Sequence, residues 1–232
     1  MASRVLSVRH GDEPLDDRAT AWLGQAGYDV QTLRPFRGDL LGEPDEGIAA
    51  TIIYGGPFNV YETDRHPFLN EEYRWIDACL TAGIPVLGIC QGCQMIAHHL
   101  GAWAGPRDVE IFEFGYYPIT PTPEAAGFLD APLVVTQAHY HTFDLPQGAV
   151  RLAGNSNYEN QAFRYGDRTF GLQFHAEVTK TGFRRWQEQK RDAYTRPGVQ
   201  TRQEQDRLME QHDAAQEAWF HGFLASFMGD VR

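Results

Sequence analysis

The sequence predicts an α/β fold in which a mostly parallel central sheet is flanked by helices. Short, largely apolar runs at residues 5–8, 49–54 and 85–89 are typical of strands buried in a parallel sheet. Amphipathic stretches such as 69–82 lie between them, and alternation of strand and helix indicates an α/β protein. The 232 residues, 42% of them hydrophobic, suffice for one core, so we predict a single domain over residues 1–232.

The first half of the chain alternates between strand and helix. The predicted elements are a strand at 5–8, a helix at 15–26, a strand at 28–33, a loop at 34–47, a strand at 49–54, a helix at 69–82 and a strand at 85–89. Gly27 and Gly83 directly follow the two helices, where glycine commonly takes the left-handed conformation that ends a helix. Gly55, Gly56 and Pro57 follow the third strand, so we expect a loop of special backbone geometry there.

The second half predicts a small additional β region and a helical tail. Short β-type runs lie at 116–119, 133–136, 149–152, 161–165 and 170–174. Gly166 and Asp167 signal a hairpin between the last two runs.

Residues 181–232 form a predicted helical C-terminal extension. Its apolar residues recur at helical spacing and comprise Trp219, Phe220, Phe223, Leu224 and Phe227. We expect this stripe to dock on the domain, and binding of a partner is the alternative.

Composition and charge exclude several classes of function. The formal net charge of −11 repels nucleic-acid phosphates, so we expect no nucleic-acid partner. No run of about 18 apolar residues occurs, which predicts no membrane span. Three cysteines do not form a disulfide framework, and the first residues lack the apolar stretch of a signal peptide. These features predict a soluble, cytoplasmic protein.

Cys90 is the candidate nucleophile. It follows the run at 85–89 and precedes a helical pattern, with Gly88 and Gly92 two residues away on either side. Small residues at these positions allow a sharp strand-to-helix turn that exposes the side chain between them. The start of a helix favours the thiolate form and presents backbone N–H groups to an oxyanion.

Two other interpretations of this cysteine are open. A free cysteine is usually a buried small hydrophobe, and Cys90 with Cys93 forms a C-x-x-C pattern that is typical of redox pairs. Redox chemistry requires neither the flanking glycines nor the polar Gln94 in the next turn, so the pattern favours acyl transfer. Cys93 is then expected to pack in the core.

His175 and Glu177 are the candidate base and its partner. A nucleophilic cysteine requires a base within hydrogen-bonding reach and a third group that orients the base. Both residues follow the run at 170–174, and residues two apart on an extended segment project to the same side. We therefore expect both to face Cys90.

These motifs resemble the class I glutamine amidotransferases, a triad-type family whose elbow has the pattern G-x-C-x-G-x-Q and whose later strand ends in F-H-P-E. The matching residues are Gly88, Cys90, Gly92 and Gln94 for the first pattern, and Phe174, His175 and Glu177 for the second. Gly55-Gly56-Pro57 is similar to the family's glycine-glycine-proline loop, and residues 160–166 resemble the segment before its histidine. The resemblance extends from about residue 50 to 180 and implies the flavodoxin-like fold of this family.

The resemblance implies a catalytic triad of Cys90, His175 and Glu177. It also implies an oxyanion hole formed by the backbone N–H groups of Gly56 and Gln91. In the implied reaction the sulfur attacks a γ-carboxamide and His175 protonates the departing nitrogen. Water then hydrolyses the thioester.

Gln94, His139 and Tyr140 are the implied substrate-binding residues. The loop at 137–143 departs from the related stand-alone members, because Tyr140 replaces glycine and His141 replaces aspartate. A tyrosine in place of glycine restricts the backbone and adds bulk, so the identity of the substrate is open. Ala176 replaces the proline of the second motif without changing the spacing around it.

Histidines raise the question of a metal site. The candidates are His98, His99, His139 and His141. No cysteine, aspartate or glutamate at ligand spacing completes a site, so we expect neither a metal nor another cofactor.

We therefore predict a hydrolase of the glutamine amidotransferase type, which cleaves glutamine or another γ-glutamyl compound through a cysteinyl thioester. The sequence contains no G-x-x-x-x-G-K-[ST] loop of an acceptor-activating module. Either a separate synthetase chain accepts the ammonia, or the protein hydrolyses a γ-glutamyl amide for its own sake. The alternatives are a non-catalytic or regulatory binding subunit with the same fold and a C-x-x-C redox protein.

Overall fold

The structure is a computed structural model that describes residues 3–229, so residues 1–2 and 230–232 of the predicted domain and tail lie outside the described residues. The strands are β1 (Arg4–Val8), β2 (Asp29–Leu33), β3 (Ile48–Ile53), β4 (Val86–Ile89), β5 (Ala104–Pro106), β6 (Glu113–Pro121), β7 (Leu133–His139), β8 (His141–Phe143), β9 (Ala149–Gly154), β10 (Ala162–Tyr165) and β11 (Thr169–Leu172). The α-helices are α1 (Arg18–Gln25), α2 (Phe68–Ala82), α3 (Gln91–His99), α4 (Lys180–Gln189) and α5 (Arg202–Met228). Short 3-10 helices cover Pro35–Arg37, Pro123–Ala125 and Arg191–Thr195.

Nine strands form one sheet in the order β2-β1-β3-β4-β11-β10-β9-β6-β7. Strands from β2 to β11 pair in parallel, and those from β11 to β7 pair antiparallel. β5 and β8 form a separate two-stranded ribbon. The predicted α/β class with a mostly parallel central sheet is confirmed. The additional β region largely continues this sheet.

Helices cover both faces of the parallel strands. One hydrophobic cluster joins the sheet to α1 and α5, and a second joins it to α2 and α3. Ile52 and Ile53 are adjacent in β3, are fully buried, and belong to opposite clusters. This two-sided burial explains why β3 is a continuous apolar run rather than an alternating one.

The structure differs from the prediction at several boundaries. α1 begins at Arg18 rather than at residue 15, because the Asp17 side chain caps it by accepting a hydrogen bond from the Thr20 N–H at 3.0 Å. β6 is longer than the predicted 116–119, since it pairs with β7 from Glu113 onward. β5 and β8 are additional. The predicted hairpin joins β10 to β11.

The C-terminal extension folds into α4, a 3-10 turn and α5. Thr201 caps α5 by accepting a hydrogen bond from the Glu204 N–H at 3.2 Å. Phe220 and Leu224 are fully buried in the cluster shared with α1, so the predicted docking of the stripe is confirmed. Within residues 3–229 no helix has the length and apolar character that a membrane crossing requires.

Candidate active site

The site lies at the carboxyl edge of the parallel strands. β3, β4 and β11 are neighbours in the sheet and run in the same direction. The residues that follow them, Gly55, Cys90 and His175, therefore meet although they are distant in sequence. A Cβ placed on Gly55 would lie 2.9 Å from His175 Cε1 and 3.3 Å from Cys90 Cβ. The backbone of Gly55 thus lies against both predicted catalytic side chains.

Cys90 forms a strained elbow between β4 and α3. Its φ of 52° makes it the one non-glycine residue with positive φ in the stretch from 3 to 229. A Cβ on Gly88 would lie 2.5 Å from the Gly92 carbonyl oxygen, and one on Gly92 would lie 2.0 Å from the Ile53 carbonyl oxygen. Both flanking positions therefore require glycine, as the elbow pattern predicts.

His175 and Glu177 form a buried pair. His175 Nδ1 lies 2.7 Å from Glu177 Oε1, and both residues are about 5% exposed. The expectation of an extended segment is wrong, because both residues follow β11 in a turn in which the Val178 N–H donates to the His175 carbonyl. The Trp186 ring lies edge-on to the His175 ring at 4.9 Å between centroids.

The surroundings of His175 favour its charged form. Burial opposes a charged imidazole, but the charges of Glu177 and Cys90, together with hydrogen bonds to both, raise the pKa of His175 to about 10. Burial raises the pKa of the Cys93 thiol far above its ordinary value, and Cys90 adds to this. Because Cys93 is also fully buried, the site does not favour a redox role for the C-x-x-C pair.

Two groups hold the turn that carries His175. The His175 N–H donates to the Thr136 carbonyl at 2.8 Å. The Arg18 guanidinium donates to the carbonyls of Ala176 and Val178, and to Asp213 Oδ2 at 2.7 Å. Since Asp213 lies on α5, the C-terminal helix is connected directly to this turn.

Gly56 and Gln91, the implied oxyanion-hole residues, lie against each other. A Cβ on Gly56 would be 2.7 Å from Gln91 Oε1 and 2.2 Å from His10 Cβ. Gln91 Oε1 accepts a hydrogen bond from the Phe58 N–H at 3.0 Å, which fixes the loop after β3 to the start of α3. Glu72 lies behind this loop, with its Oε2 2.9 Å from His10 Nε2.

Of the three implied substrate-binding residues, Gln94 and His139 support the loop. Gln94 Nε2 donates to the His141 carbonyl at 3.2 Å and to Gln173 Oε1 at 3.0 Å. His139 Nδ1 lies 2.8 Å from the same carbonyl, and its Nε2 lies 3.1 Å from the buried Glu113 carboxylate. These contacts hold the backbone of the substituted loop, and contact with a substrate stays a prediction for both.

Tyr140 is half-buried in an aromatic cluster. Its ring packs edge-on against Phe112 and His141, with centroids 5.8 and 4.7 Å apart. The Arg196 guanidinium lies 4.3 Å from the centre of the Tyr140 ring. Tyr140 therefore forms part of the wall of the site.

Two cavities meet at Cys90. The first, which we call the His175 cavity, has a volume of about 290 Å³. Its lining includes Arg9, Asp16, His175, Glu177, Arg185 and Trp186. The second, the Gln94 cavity, has a volume of about 350 Å³. Its lining includes Phe58, Gln94, His139, Tyr140, Asp192 and Arg196. Gly56, Cys90 and Lys190 line both.

Sequence reasoning missed part of this site. Arg9 and His10 directly follow β1, whose carboxyl end lies at the same edge of the sheet as the site. Their position after a predicted strand could have indicated that they belong to the site. Trp186 lies on α4, whose sequence gave no comparable indication. In the part of the chain from 3 to 229, no group of three or more His, Cys, Asp or Glu side chains is arranged to hold a metal ion.

The fold and the geometry define an α/β protein that presents a cysteine, a histidine and a glutamate at the carboxyl edge of a parallel sheet. The profile of the family described as glutamine amidotransferase class-I matches residues 22–188. The chain belongs to the class I glutamine amidotransferase family.

Curated relatives agree with this assignment. The glutamine amidotransferase-like protein YfeJ of Salmonella typhimurium is 30% identical over 167 residues, which cover 68% of this chain and 69% of that protein. A glutamine-hydrolysing GMP synthase of Porphyromonas gingivalis is 32% identical over 143 residues, which cover 60% of this chain. The match spans only 26% of that synthase.

Solved structures match over nearly the whole chain. A glutamine amidotransferase from Thermotoga maritima has a TM-score of 0.87 and 30% identity, with 99% of this chain and 100% of that chain covered. A glutamine amidotransferase from Methylobacillus flagellatus has a TM-score of 0.90 at 23% identity, with 98% and 95% covered, and shows the fold alone. Both structural matches therefore extend over α5, which lies outside residues 22–188, the part that the family profile matches.

Proposed function

We propose that the protein hydrolyses a γ-glutamyl amide through a thioester on Cys90. One observation carries the proposal: Cys90 lies on a strained elbow beside a buried His175–Glu177 pair. A buried charged imidazole next to a thiol provides the nucleophile and the acid that the reaction requires. Packing alone does not require this combination at one edge of a sheet.

The proposed reaction has two steps. The Cys90 sulfur attacks the γ-carbonyl carbon while the backbone N–H groups of Gly56 and Gln91 stabilise the oxyanion. The C–N bond then breaks and His175 protonates the departing nitrogen. In the second step His175 accepts a proton from water, which attacks the thioester and releases glutamate. Glu177 orients the imidazole in both steps.

The proposed substrate is a small molecule, either glutamine or another γ-glutamyl compound. Ammonia released from glutamine would pass to a separate synthetase chain or to solvent. The GMP synthases share only about a quarter of their length with this chain, so their synthetic activity is not carried over.

Glutamate release tests the proposal directly. The purified chain is incubated with glutamine and with γ-glutamyl amides, and glutamate is measured for wild type, Cys90→Ser and Cys93→Ala. We expect Cys90→Ser to abolish release and Cys93→Ala to retain it, because only Cys90 lies at the elbow. Release that persists without Cys90, or that depends equally on Cys93, would contradict the thioester.

Alkylation distinguishes an enzyme from a non-catalytic binding subunit. A chloroketone analogue of glutamine should label Cys90, while Cys79 and Cys93 stay unmodified because both are fully buried. Mass spectrometry of the peptides locates the label. An intact, folded protein with no label on Cys90 would support the binding subunit instead.

A further inference from the structure

A buried histidine–glutamate pair that the proposed reaction does not use lies behind the loop of Gly56. His10 follows β1, Glu72 lies on α2, and both side chains are fully buried. His10 Nε2 lies 2.9 Å from Glu72 Oε2, and His10 Nδ1 lies 3.0 Å from the Tyr54 carbonyl oxygen. Tyr54 directly precedes Gly55, so the pair contacts the backbone where this loop begins.

We propose that His10 and Glu72 are positioning residues for the oxyanion hole, because they hold the backbone that presents the Gly56 N–H. This inference rests on the proposed function, in which that N–H stabilises the oxyanion. Neither the triad nor the sequence motifs indicate such a role for the two residues.

The first support is the hydrogen bonding of the His10 ring. A carbonyl oxygen only accepts, so Nδ1 carries a hydrogen and donates it to Tyr54. The hydrogen bond at Nε2 requires a second hydrogen, which Nε2 shares with the Glu72 carboxyl group. Rotation of the ring would break both hydrogen bonds in a buried environment, where unpaired polar groups are costly. Glu72 therefore fixes the His10 ring, and the ring fixes the Tyr54 carbonyl.

The second support is the conformational freedom of the segment that follows. Gly55 and Gly56 are adjacent, and glycine has more accessible backbone conformations than any other residue. His10 holds the carbonyl that precedes the two glycines. The Gln91 side chain accepts a hydrogen bond at 3.0 Å from the N–H two residues after Gly56. The loop is therefore held on both sides of its glycines.

The third support is the packing of Gly56 itself. A Cβ on Gly56 would lie 2.2 Å from His10 Cβ and 2.7 Å from Gln91 Oε1. The backbone of Gly56 thus lies between His10 and the residue that carries the other implied donor. Movement of the His10 ring would let the two donors shift relative to each other, and a misplacement of about 1 Å in a catalytic site can cost roughly a hundredfold in rate.

The fourth support is the type of residue at position 72. The other buried residues of α2 are all apolar, and they are Leu69, Trp75, Ile76 and Cys79. A buried carboxylate–histidine pair is often no more stabilising than apolar residues of the same size. Glu72 Oε1 is also buried, and within the described range 3–229 it has no hydrogen-bond partner. Packing on this helix face therefore does not explain a carboxylate there.

A double variant separates positioning from stability. His10→Phe combined with Glu72→Leu replaces both partners by apolar side chains, so neither is left as a buried, unpaired polar group. We expect the double variant to fold, with an unfolding temperature within about 5 °C of wild type. We expect kcat for glutamate release to fall by about tenfold to a hundredfold. KM should change by less than about threefold, because the oxyanion forms only in the transition state.

Alkylation of Cys90 by iodoacetamide is the readout that a merely structural role would not separate from activity. Iodoacetamide reacts with a thiolate at a saturated carbon, so no oxyanion forms and the oxyanion hole is not required. We expect the alkylation rate of Cys90 in the double variant to stay within about twofold of wild type. Loosening of the whole site would change this rate together with kcat.

Two further variants complete the experiment. Glu72→Gln should lose less of kcat than the double variant, because its amide can still form a hydrogen bond with His10 Nε2. His99→Phe combined with Asp77→Leu is the matched control. Asp77 lies on the same helix and its Oδ1 is 3.3 Å from His99 Nε2, but its side chain is 69% exposed. We expect this control to retain the kcat of wild type.

The outcomes are distinct. A wild-type kcat in the folded double variant overturns this inference and leaves the proposed function standing. A double variant that does not fold, or in which Cys90 alkylation falls in parallel with kcat, shows a structural role for the pair and also overturns it. A rise in KM alone indicates direct contact with the substrate and overturns positioning. Absence of glutamate release by wild type overturns the proposed function and this inference together.

Discussion

Replacing Glu177 by glutamine removes the charge beside His175 while keeping the size of the side chain. The pKa of His175 is raised from its ordinary 6.5 to about 10. At 1.36 kcal/mol per pH unit this difference corresponds to about 5 kcal/mol in favour of the imidazolium. Glu177 supplies the largest charge that raises this pKa and also a hydrogen bond. An opposite charge at this range typically shifts a pKa by about 1–3 units, so its removal corresponds to a loss of roughly 2–3 kcal/mol.

A loss of about 2–3 kcal/mol changes the ratio of charged to neutral imidazole by roughly a hundredfold. Near pH 9 the wild-type ring is then mostly charged and the ring in Glu177→Gln is mostly neutral. Because the departing nitrogen takes its proton from this ring in the proposed reaction, we expect kcat/KM for glutamate release to fall by about a hundredfold or more.

Two measurements check this reasoning. An NMR titration of the His175 Cε1 proton reports the pKa in wild type and in the variant. Glu159→Gln is the matched control, since Glu159 is exposed and pairs with Arg151. A His175 titration that coincides in wild type and Glu177→Gln would refute the argument, whatever the change in activity.

The same shift predicts a pH dependence of stability. His175 has a raised pKa in the folded state, so its stabilising contribution is full below about pH 6.5 and is lost as the pH rises through about 10. The free energy of unfolding of wild type should therefore fall more steeply over this range than that of Glu177→Gln. Chemical denaturation at pH 7 and pH 10 measures the difference.

The remaining predictions concern stability. Gly92→Ala should destabilise the fold by about 1–3 kcal/mol or more in denaturant unfolding, because the new Cβ would lie 2.0 Å from the Ile53 carbonyl oxygen. Gly24→Ala in α1 is the control and should not destabilise the fold, because a Cβ there meets nothing within 4 Å. Arg18→Met should cost about 3–5 kcal/mol by leaving the buried Asp213 carboxylate without its cationic partner. Lys180→Met, which breaks an exposed pair with Glu210, should cost at most about 1 kcal/mol by the same method. Equal losses in Arg18→Met and Lys180→Met would contradict the structural role of the buried pair.

The elbow at Cys90 and the Gly55-Gly56-Pro57 loop could be predicted from the sequence because the constraints on them are local. A Cβ at position 88 or 92 would lie within 3 Å of neighbouring backbone atoms, so both positions require glycine. The sequence therefore shows a glycine two residues before and two residues after Cys90. The parallel strands could be predicted for a similar reason, since burial on both faces leaves short apolar runs. The parallel arrangement of β3, β4 and β11 then brings the motifs together.

Long-range polar contacts could not be predicted in this way. His10 and Glu72 are 62 residues apart, and nothing in the sequence around either one indicates the other. Glu113 is fully buried and accepts hydrogen bonds from four side chains. These donors are His139, Asn155, Asn157 and Gln161. Such carboxylates look like surface residues until the tertiary fold supplies their partners.

The C-terminal helix belongs to the machinery that places His175. Gln216 on α5 accepts a hydrogen bond from the Thr136 N–H at 2.5 Å, and the Thr136 carbonyl in turn accepts from the His175 N–H. Asp213, one turn earlier, holds the Arg18 guanidinium against the carbonyls that follow His175. Because both contacts are buried, loosening α5 would leave polar groups unpaired and remove part of the support of the turn. The docked apolar stripe therefore does more than cover the sheet, since the same helix carries two of the polar contacts around the turn of His175.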